Sequence, residues 1–111
     1  MDTTKFKMGW MIVAFDLPTK EKEERRRYAL FRKFLIEDGF QMIQFSVYAR
    51  AMVSHARMQT HIRRIKMAVP PEGSLRVWYI TEAQWQRSIV IHGKPAVEVV
   101  PEKLPGQMQF W

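Results

Sequence analysis

The segment from Trp10 to Phe15 is apolar at every position, and it constrains the fold more than any other feature of the chain. Successive side chains of a strand point to opposite faces of a sheet, so a strand without a polar position has to be covered on both faces. The run has 6 residues, whereas a transmembrane helix needs roughly 20. The segment therefore predicts a central strand of a folded domain, and no membrane partner is expected.

A helix is predicted to follow the strand, over residues 20–38. Pro18 disfavours an earlier start, and Thr19 is a suitable N-cap. Gly39 is expected to end the helix in the left-handed conformation that glycine adopts without strain. The apolar positions of this helix fall on one stripe, at spacings of three and four, which predicts packing on a sheet: Tyr28, Phe31, Phe34 and Leu35.

Residues 41–50 alternate between two sets of side chains, which predicts an extended strand. The set Ile43, Phe45, Val47 and Ala49 is expected to face the helices, and the set Gln44, Ser46, Tyr48 and Arg50 to face away. The segment contains no Gly, Pro or Asn that would turn the chain. We therefore expect one long bent strand, with a brief partner around residues 51–53.

A second helix is predicted from an N-cap at Ser54 to Val69, before the turn sequence of residues 70–73. Its apolar stripe is narrow and consists of Met58, Ile62, Ile65 and Val69. The rest of its circumference carries Arg57, Arg63, Arg64, Lys66, His55 and His61. The histidines, including His92, lack the spacing of metal ligands, and structural or surface roles are expected for them.

Two more strands are predicted, at residues 75–81 and 88–92, and residues 96–100 could also be extended. The element order predicts an α+β, ferredoxin-like domain over residues 9–93: βαββαβ plus a C-terminal strand, with both helices on one face of an antiparallel sheet. Residues 1–8 are expected to be a flexible lead. Residues 94–111 are expected to be a tail that contacts a partner or a second copy.

The sheet face opposite the helices also carries apolar side chains, and an exposed patch of that kind is rare on monomers. A second copy of the chain is the expected cover, in a two-fold homodimer. The strand at residues 88–92 could extend the sheet of the neighbouring copy.

The charge balance favours a nucleic-acid partner. Lys and Arg exceed Asp and Glu by 18 to 11, and the isoelectric point is near 10.1, above the value of about 9 that is typical of such proteins. A positive surface without a specific partner is the alternative. The residues expected to contact phosphates are Lys20, Lys22, Arg25, Arg26, Arg27, Arg50, Arg57, Arg63, Arg64 and Lys66.

Asp16 ends the first strand and is the candidate catalytic and metal-binding residue. A carboxylate at the end of a central strand is a common metal ligand in such sheets. The alternative is a turn aspartate that accepts backbone N–H groups of the next residues. A single carboxylate makes a weak Mg²⁺ site, and a two-fold axis near Asp16 would supply a second one. The chain contains no cysteine, which excludes thiol catalysis and is consistent with the cytoplasm.

The sequences FDLP at residues 15–18, QFSVYAR at residues 44–50 and PPEG at residues 70–73 occur in the order found in one family. In this combination the chain resembles CRISPR-associated protein 2, in the versions that accompany type II CRISPR systems, from Gly9 to Gly93. The resemblance implies a ferredoxin-like protomer in a homodimer, with strand exchange near the C-terminus. It also implies a role in spacer acquisition, in which the dimer binds duplex DNA and bridges dimers of the CRISPR-associated integrase.

Some members of this family are described as Mg²⁺-dependent nucleases of RNA or DNA, which implies that Asp16 is a magnesium ligand. Two functions therefore remain open: a DNA-binding subunit for spacer acquisition, and an endonuclease with Ser46 and Tyr48 as polar neighbours of Asp16. A general RNA-binding domain ranks last, because QFSVYAR lacks the glycine pattern of an RNA-recognition motif.

Overall fold

The computed structural model describes residues 8–93, and this part of the chain forms four strands and three helices. The elements are β1 (Gly9–Asp16), α1 (Lys22–Glu37), β2 (Gln41–Gln44), β3 (Val47–Met52), α2 (His55–Ala68), β4 (Ser74–Thr81) and α3 (Glu82–Gln86). The strands form one antiparallel sheet in the order β2-β3-β1-β4. Both long helices pack on the same sheet face, so the predicted ferredoxin-like α+β fold is confirmed.

Strand β1 lies inside the sheet and is covered on both sides, as its sequence predicts. Met11, Val13 and Phe15 point to the helices and are buried in the main core, which also contains Phe31 and Leu35 of α1. Ile12 points the other way and is buried in a smaller cluster on the opposite face. We call that opposite face the open face of the sheet.

The expected long bent strand at residues 41–50 is wrong, because the chain turns within it. Strands β2 and β3 form a hairpin whose turn is made by Phe45 and Ser46. Ser46 has a φ of +64°, a conformation that is uncommon for residues other than glycine. Its hydroxyl oxygen lies 2.7 Å from the hydroxyl oxygen of Tyr28 on α1, and its carbonyl accepts the backbone N–H of Phe15 at 3.1 Å. Contacts with two other elements thus hold a turn that lacks the usual turn residues.

The sequence also assigned the two sides of β3 to the wrong faces. Tyr48 is completely buried in the helix-side core. Ile43, Val47 and Ala49 lie together, as the alternation predicts, but on the open face. A strand with apolar residues at both parities allows either orientation, and the bulky Tyr48 fills the larger core.

Two of the three predicted helix caps are found. Ser54 caps α2 by accepting the N–H of Arg57 at 3.1 Å, and Gly39 follows α1 with a φ of +94°. Helix α2 ends at Ala68, one residue before the predicted end, and the chain is extended at Val69. Thr19 is not the cap of α1, which begins after Glu21. Here the Oε1 atom of Glu24 accepts the N–H groups of Lys20 and Glu21, both at 3.0 Å.

The chain after β4 differs from the prediction. A short helix, α3, places Trp85 on the open face, where its ring stacks on Trp10 at a centroid distance of 4.7 Å. Residues 88–92 pair with no strand in the part of the chain that the structure describes, so the predicted C-terminal strand is absent there. The predicted tail 94–111, with its possible strand, and residues 1–7 of the predicted lead lie outside the described residues.

His61 is buried, although the sequence placed it on the polar side of α2. Its side chain is 1% exposed, its Nδ1 atom lies 2.5 Å from Oδ2 of Asp38, and its Nε2 atom accepts Arg50 Nε–H at 3.1 Å. Because Nε2 accepts a hydrogen bond, Nδ1 carries the ring proton and donates a hydrogen bond to Asp38. The other carboxylate oxygen of Asp38 pairs with Arg64 at 2.7 Å. These contacts join the end of α1 to α2 and β3.

Asp38→Ala should lower the free energy of unfolding by about 1 to 3 kcal/mol, because it leaves the buried Nδ1–H of His61 without an acceptor. Urea denaturation measures this. Glu37→Ala is the matched control, since Glu37 is exposed and its one ion pair within the described residues is with Lys33, at 4.0 Å; its effect should stay within about 0.5 kcal/mol. Equal effects of the two substitutions would show that the Asp38–His61 contact does not stabilise the fold.

Candidate functional site

Asp16 is the last residue of β1 and pairs in register with Ser74, the first residue of β4. Its side chain is exposed. It lies on the open face of the sheet, as does Ala14, because residues two apart in a strand face the same side. It lines a shallow depression of about 340 Å³ together with Ala14, Phe15, Ser74, Leu75 and Arg76. The carboxylate accepts no hydrogen bond from any residue in the range 8–93, so the expected contacts of a turn aspartate are not formed. Asp16 is therefore available to a ligand.

Arg76 is a candidate residue that the sequence analysis missed. It lies opposite Ala14 in the β1–β4 register, on the same face as Asp16, and it lines the same depression. No ion pair to its guanidinium occurs among the residues that the structure describes. A guanidinium binds the oxygens of a phosphate in bidentate geometry, so the depression combines a cation-binding and an anion-binding group. The alternation of β4, in which Arg76 and Trp78 share a face, was the available signal.

The donor set fits one half of a magnesium site. Mg²⁺ takes one or two carboxylates together with water and phosphate oxygens, and one chain supplies the single carboxylate of Asp16. Residues 8–93 contain no cluster of three His, Asp or Glu side chains that could hold a metal ion. A complete site of this kind therefore needs a carboxylate from a second chain or oxygens from the substrate.

The two expected polar neighbours of Asp16 are not brought to it. The hydroxyl of Ser46 contacts Tyr28 on the helix side of the sheet. Tyr48 is buried on that side as well, and burial raises the pKa of its phenol, although the charge of Arg32 opposes the shift. The assignment of Ser46 and Tyr48 to the neighbourhood of Asp16 fails because the turn puts both side chains on the opposite face.

The open face is only partly covered within the chain. Trp85 covers the central cluster around Ile12 and Ala49. Trp78 remains 45% exposed on this face, and in the segment after α3 Ile89 is 82% and Ile91 86% exposed. This segment also borders a cavity of about 320 Å³ beside Trp85. The large apolar patch that the sequence predicts is thus smaller than expected, but it is still present.

The three consecutive arginines in the first turns of α1, Arg25 to Arg27, form many contacts within the chain. Arg26 donates from Nε and Nη2 to both carboxylate oxygens of Glu23, and these hydrogen bonds lower the pKa of Glu23 and raise that of Arg26. Arg27 contacts Glu23 at 3.3 Å and Glu72 at 2.5 Å. Arg25 donates to the backbone carbonyls of residues 19 and 20. These three cations are already engaged within the chain.

The basic residues of β3 and α2 fall into two groups: some contact other residues of the chain, and others have no side-chain partner among residues 8–93. Arg50 lies under α2 and bonds His61, Arg64 pairs with Asp38, and Arg63 donates to the Thr60 hydroxyl at 3.3 Å. Helix α2 carries no acidic residue, but Arg64 is paired nevertheless, because its partner comes from the end of α1. Four of the predicted phosphate contacts are exposed and form neither a side-chain ion pair nor a side-chain hydrogen bond within residues 8–93: Lys20, Lys22, Arg57 and Lys66.

Sequence comparison finds relatives over nearly the whole chain. The family model described as CRISPR associated protein Cas2 matches residues 8–88. A protein of Paracidovorax avenae named CRISPR-associated endoribonuclease Cas2 is 41% identical over 108 residues, which cover 97% of this chain and 98% of the relative. A protein of Acidovorax ebreus with the same name is 45% identical over 85 residues, which cover 77% of this chain and 83% of the relative.

Structural comparison finds the same fold in two crystal structures. That of Streptococcus pyogenes Cas2 at pH 6.5 matches with a TM-score of 0.60 and 24% identity, over 76% of this chain and 99% of the other. A second structure, described as cas2, matches with a TM-score of 0.50 and 19% identity, over 85% of this chain and 99% of the other. At these identities the likeness supports the fold alone. None of the helices in residues 8–93 has the length and apolar composition to cross a membrane.

Proposed function

The chain belongs to the CRISPR-associated Cas2 family, and on this basis we propose that it is a metal-dependent endoribonuclease that acts as a homodimer. The observation that carries the proposal is the exposed Asp16 carboxylate at the end of β1, which has no partner within residues 8–93 and lines one depression with Arg76. The names of the relatives support the same activity, since they are called endoribonucleases.

Dimerisation through the open face would complete the site. A two-fold axis brings the same patch of both copies together, and Asp16 lies on the same face as the exposed Trp78. An axis close to the ends of the two β1 strands would place both Asp16 carboxylates in one site. Burying the exposed indole of Trp78 and the isoleucines after α3 supplies the apolar area for association.

Three polar residues of the depression would have distinct parts in phosphodiester hydrolysis. A bound Mg²⁺ ion would supply Lewis-acid activation of water and of the phosphoryl group. Asp16 would hold the cation. Arg76 binds the non-bridging phosphate oxygens and orients the scissile phosphate, for which a guanidinium is geometrically suited. Ser74, opposite Asp16, provides a hydroxyl that can hydrogen-bond a ligand of the cation.

Asp16→Asn should reduce Mg²⁺-dependent cleavage of an RNA oligonucleotide by more than the roughly 100-fold that loss of an outer-shell partner costs, because the amide is a weak ligand of the cation. Glu37→Gln, which removes an exposed carboxylate on α1, is the matched control and should cleave normally. Light scattering should give about twice the chain mass of 13.3 kDa for all three proteins. Cleavage that survives in the Asp16→Asn protein would assign the activity to another site or to a contaminant.

A second candidate function is the binding of duplex DNA in spacer acquisition, together with the CRISPR-associated integrase. The observation that favours it is the group of four exposed cations, Lys20, Lys22, Arg57 and Lys66, that form no side-chain ion pair or hydrogen bond within the described residues. Arg57 and Lys66 lie on α2. The two-fold dimer would double this set. Contacts with phosphates carry no base identity, so such binding should be nearly independent of DNA sequence.

The double substitution Arg57→Gln with Lys66→Gln should make the salt dependence of duplex binding shallower, by roughly 0.9 in the slope of log affinity against log salt for each phosphate that is no longer neutralised. Arg26→Gln with Arg27→Gln removes the same charge from cations that are already paired with Glu23 and Glu72. It should therefore change the slope less. Fluorescence anisotropy over a salt series measures both slopes, and equal slopes for the two variants would contradict this assignment.

A further inference from the structure

Phe45 is the most exposed aromatic side chain among the large hydrophobic residues that the structure describes. It is 77% exposed, at the first position of the β2–β3 turn. Removing a phenyl ring from water is favourable, and sequences with a free choice of turn residue use small polar ones. An apolar ring at the tip of a hairpin is therefore a feature that the fold alone does not explain.

The Phe45 ring packs against another aromatic ring of the chain. It stacks on Tyr28 of α1 with a centroid distance of 5.7 Å and an interplanar angle of 18°. The hydroxyl of the same tyrosine contacts Ser46, the other turn residue, at 2.7 Å. One face of the Phe45 ring is thus supported by a second aromatic ring, and most of the residue is open to solvent.

This turn lies directly beside the end of β1. The carbonyl of Ser46 accepts the N–H of Phe15, and Phe15 is the residue before Asp16. The Phe45 ring stacks on Tyr28 on the helix side of the sheet, whereas the Asp16 carboxylate lies on the open face. Both lie at the same end of the sheet, so a polynucleotide that contacts both has to pass around that end. A strand whose phosphate lies at Asp16 would place a neighbouring base at this ring.

The charges around the ring suit a polyanion. Arg32 is exposed and lies four residues after Tyr28 on α1, so the two side chains are neighbours on the helix surface. A nucleobase has a flat π-face that stacks on phenylalanine, and it adjoins a phosphate that the guanidinium of Arg32 attracts.

We propose that Phe45, supported by Tyr28, is a stacking platform for an unpaired nucleobase of the RNA strand whose phosphate is bound at Asp16. The inference rests on the proposed endoribonuclease function and adds a positioning residue to it. Phe45 touches a base and not the reacting phosphate, so it should govern substrate affinity and the choice of the cleaved bond, and leave kcat unchanged.

The test measures binding in the Asp16→Asn background, where no cleavage is needed, with single-stranded RNA that carries 2-aminopurine at one position in turn. One position should show quenched fluorescence. Phe45→Ala should remove the quenching and weaken binding about 5- to 150-fold, the range that loss of one base–aromatic stack produces. Phe45→Leu keeps the apolar bulk without the ring and should bind as weakly as Phe45→Ala, whereas Phe45→Trp should restore both quenching and affinity.

Three results would overturn the proposal. They are wild-type affinity of the Phe45→Leu protein, quenching that persists in Phe45→Ala, and conversion of Phe45→Ala to a monomer, which would show that a second copy covers the ring. Urea denaturation checks that each variant still folds, because Phe45→Ala also removes the contact with Tyr28. Quenching at one position without any RNA cleavage by the native protein would support the platform and reject the endoribonuclease function, so the two failures are distinguishable.

Discussion

The structure depends on one constraint: β1 is apolar on both sides, but the two long helices cover only one of them. On the helix side, Met11, Val13 and Phe15 are buried in the main core. On the other side, the chain supplies the short helix α3, whose Trp85 packs over Ile12. The cover is incomplete, and the open face still carries an exposed tryptophan. The proposed association of two copies through this face would satisfy the same hydrophobic requirement that makes β1 a central strand.

The candidate site is a consequence of where β1 ends. The strand leaves the covered part of the sheet at Asp16, whose carboxylate reaches solvent on the open face without a partner among residues 8–93. Arg76 of β4 lines the same depression, and the β2–β3 turn with Phe45 lies at the same end of the sheet. Several other cations of the chain are engaged in pairs such as Arg26–Glu23 and Arg64–Asp38. A net charge of +7 therefore does not measure how many cations are free for a ligand.

Periodicity and cap residues predicted much of the fold, because they report local geometry. The central strand, the apolar stripes of both helices, the Ser54 cap and the Gly39 terminus are all found. The β2–β3 turn could not be predicted in this way, because Ser46 is held at positive φ by Tyr28 on another element. The burial of His61 could not be predicted for the same reason, since its partners come from the end of α1 and from β3.

The candidate site was predicted in part, for the same physical reason. Asp16 is evident from its place after an apolar strand, which is a local signal. Arg76 joins it through the pairing of β1 with β4, and the turn that carries Phe45 lies at the same end of the sheet through the hydrogen bond between Ser46 and Phe15. The alternation of β4 groups Arg76 with Trp78, but neither long-range pairing can be predicted from one segment alone. Arg50 was expected on an exposed surface, and the reversed faces of β3 put it against His61 instead.

The central claim is that one active site needs Asp16 from both copies, and mixed dimers test it most directly. Equal amounts of the native chain and the Asp16→Asn chain are unfolded together in urea, refolded, and assayed for RNA cleavage at constant total protein. If both carboxylates are required, only dimers of two native chains are active, and about one quarter of the native activity remains. Retention of about one half would mean that each chain carries a complete site, and it would contradict the shared site.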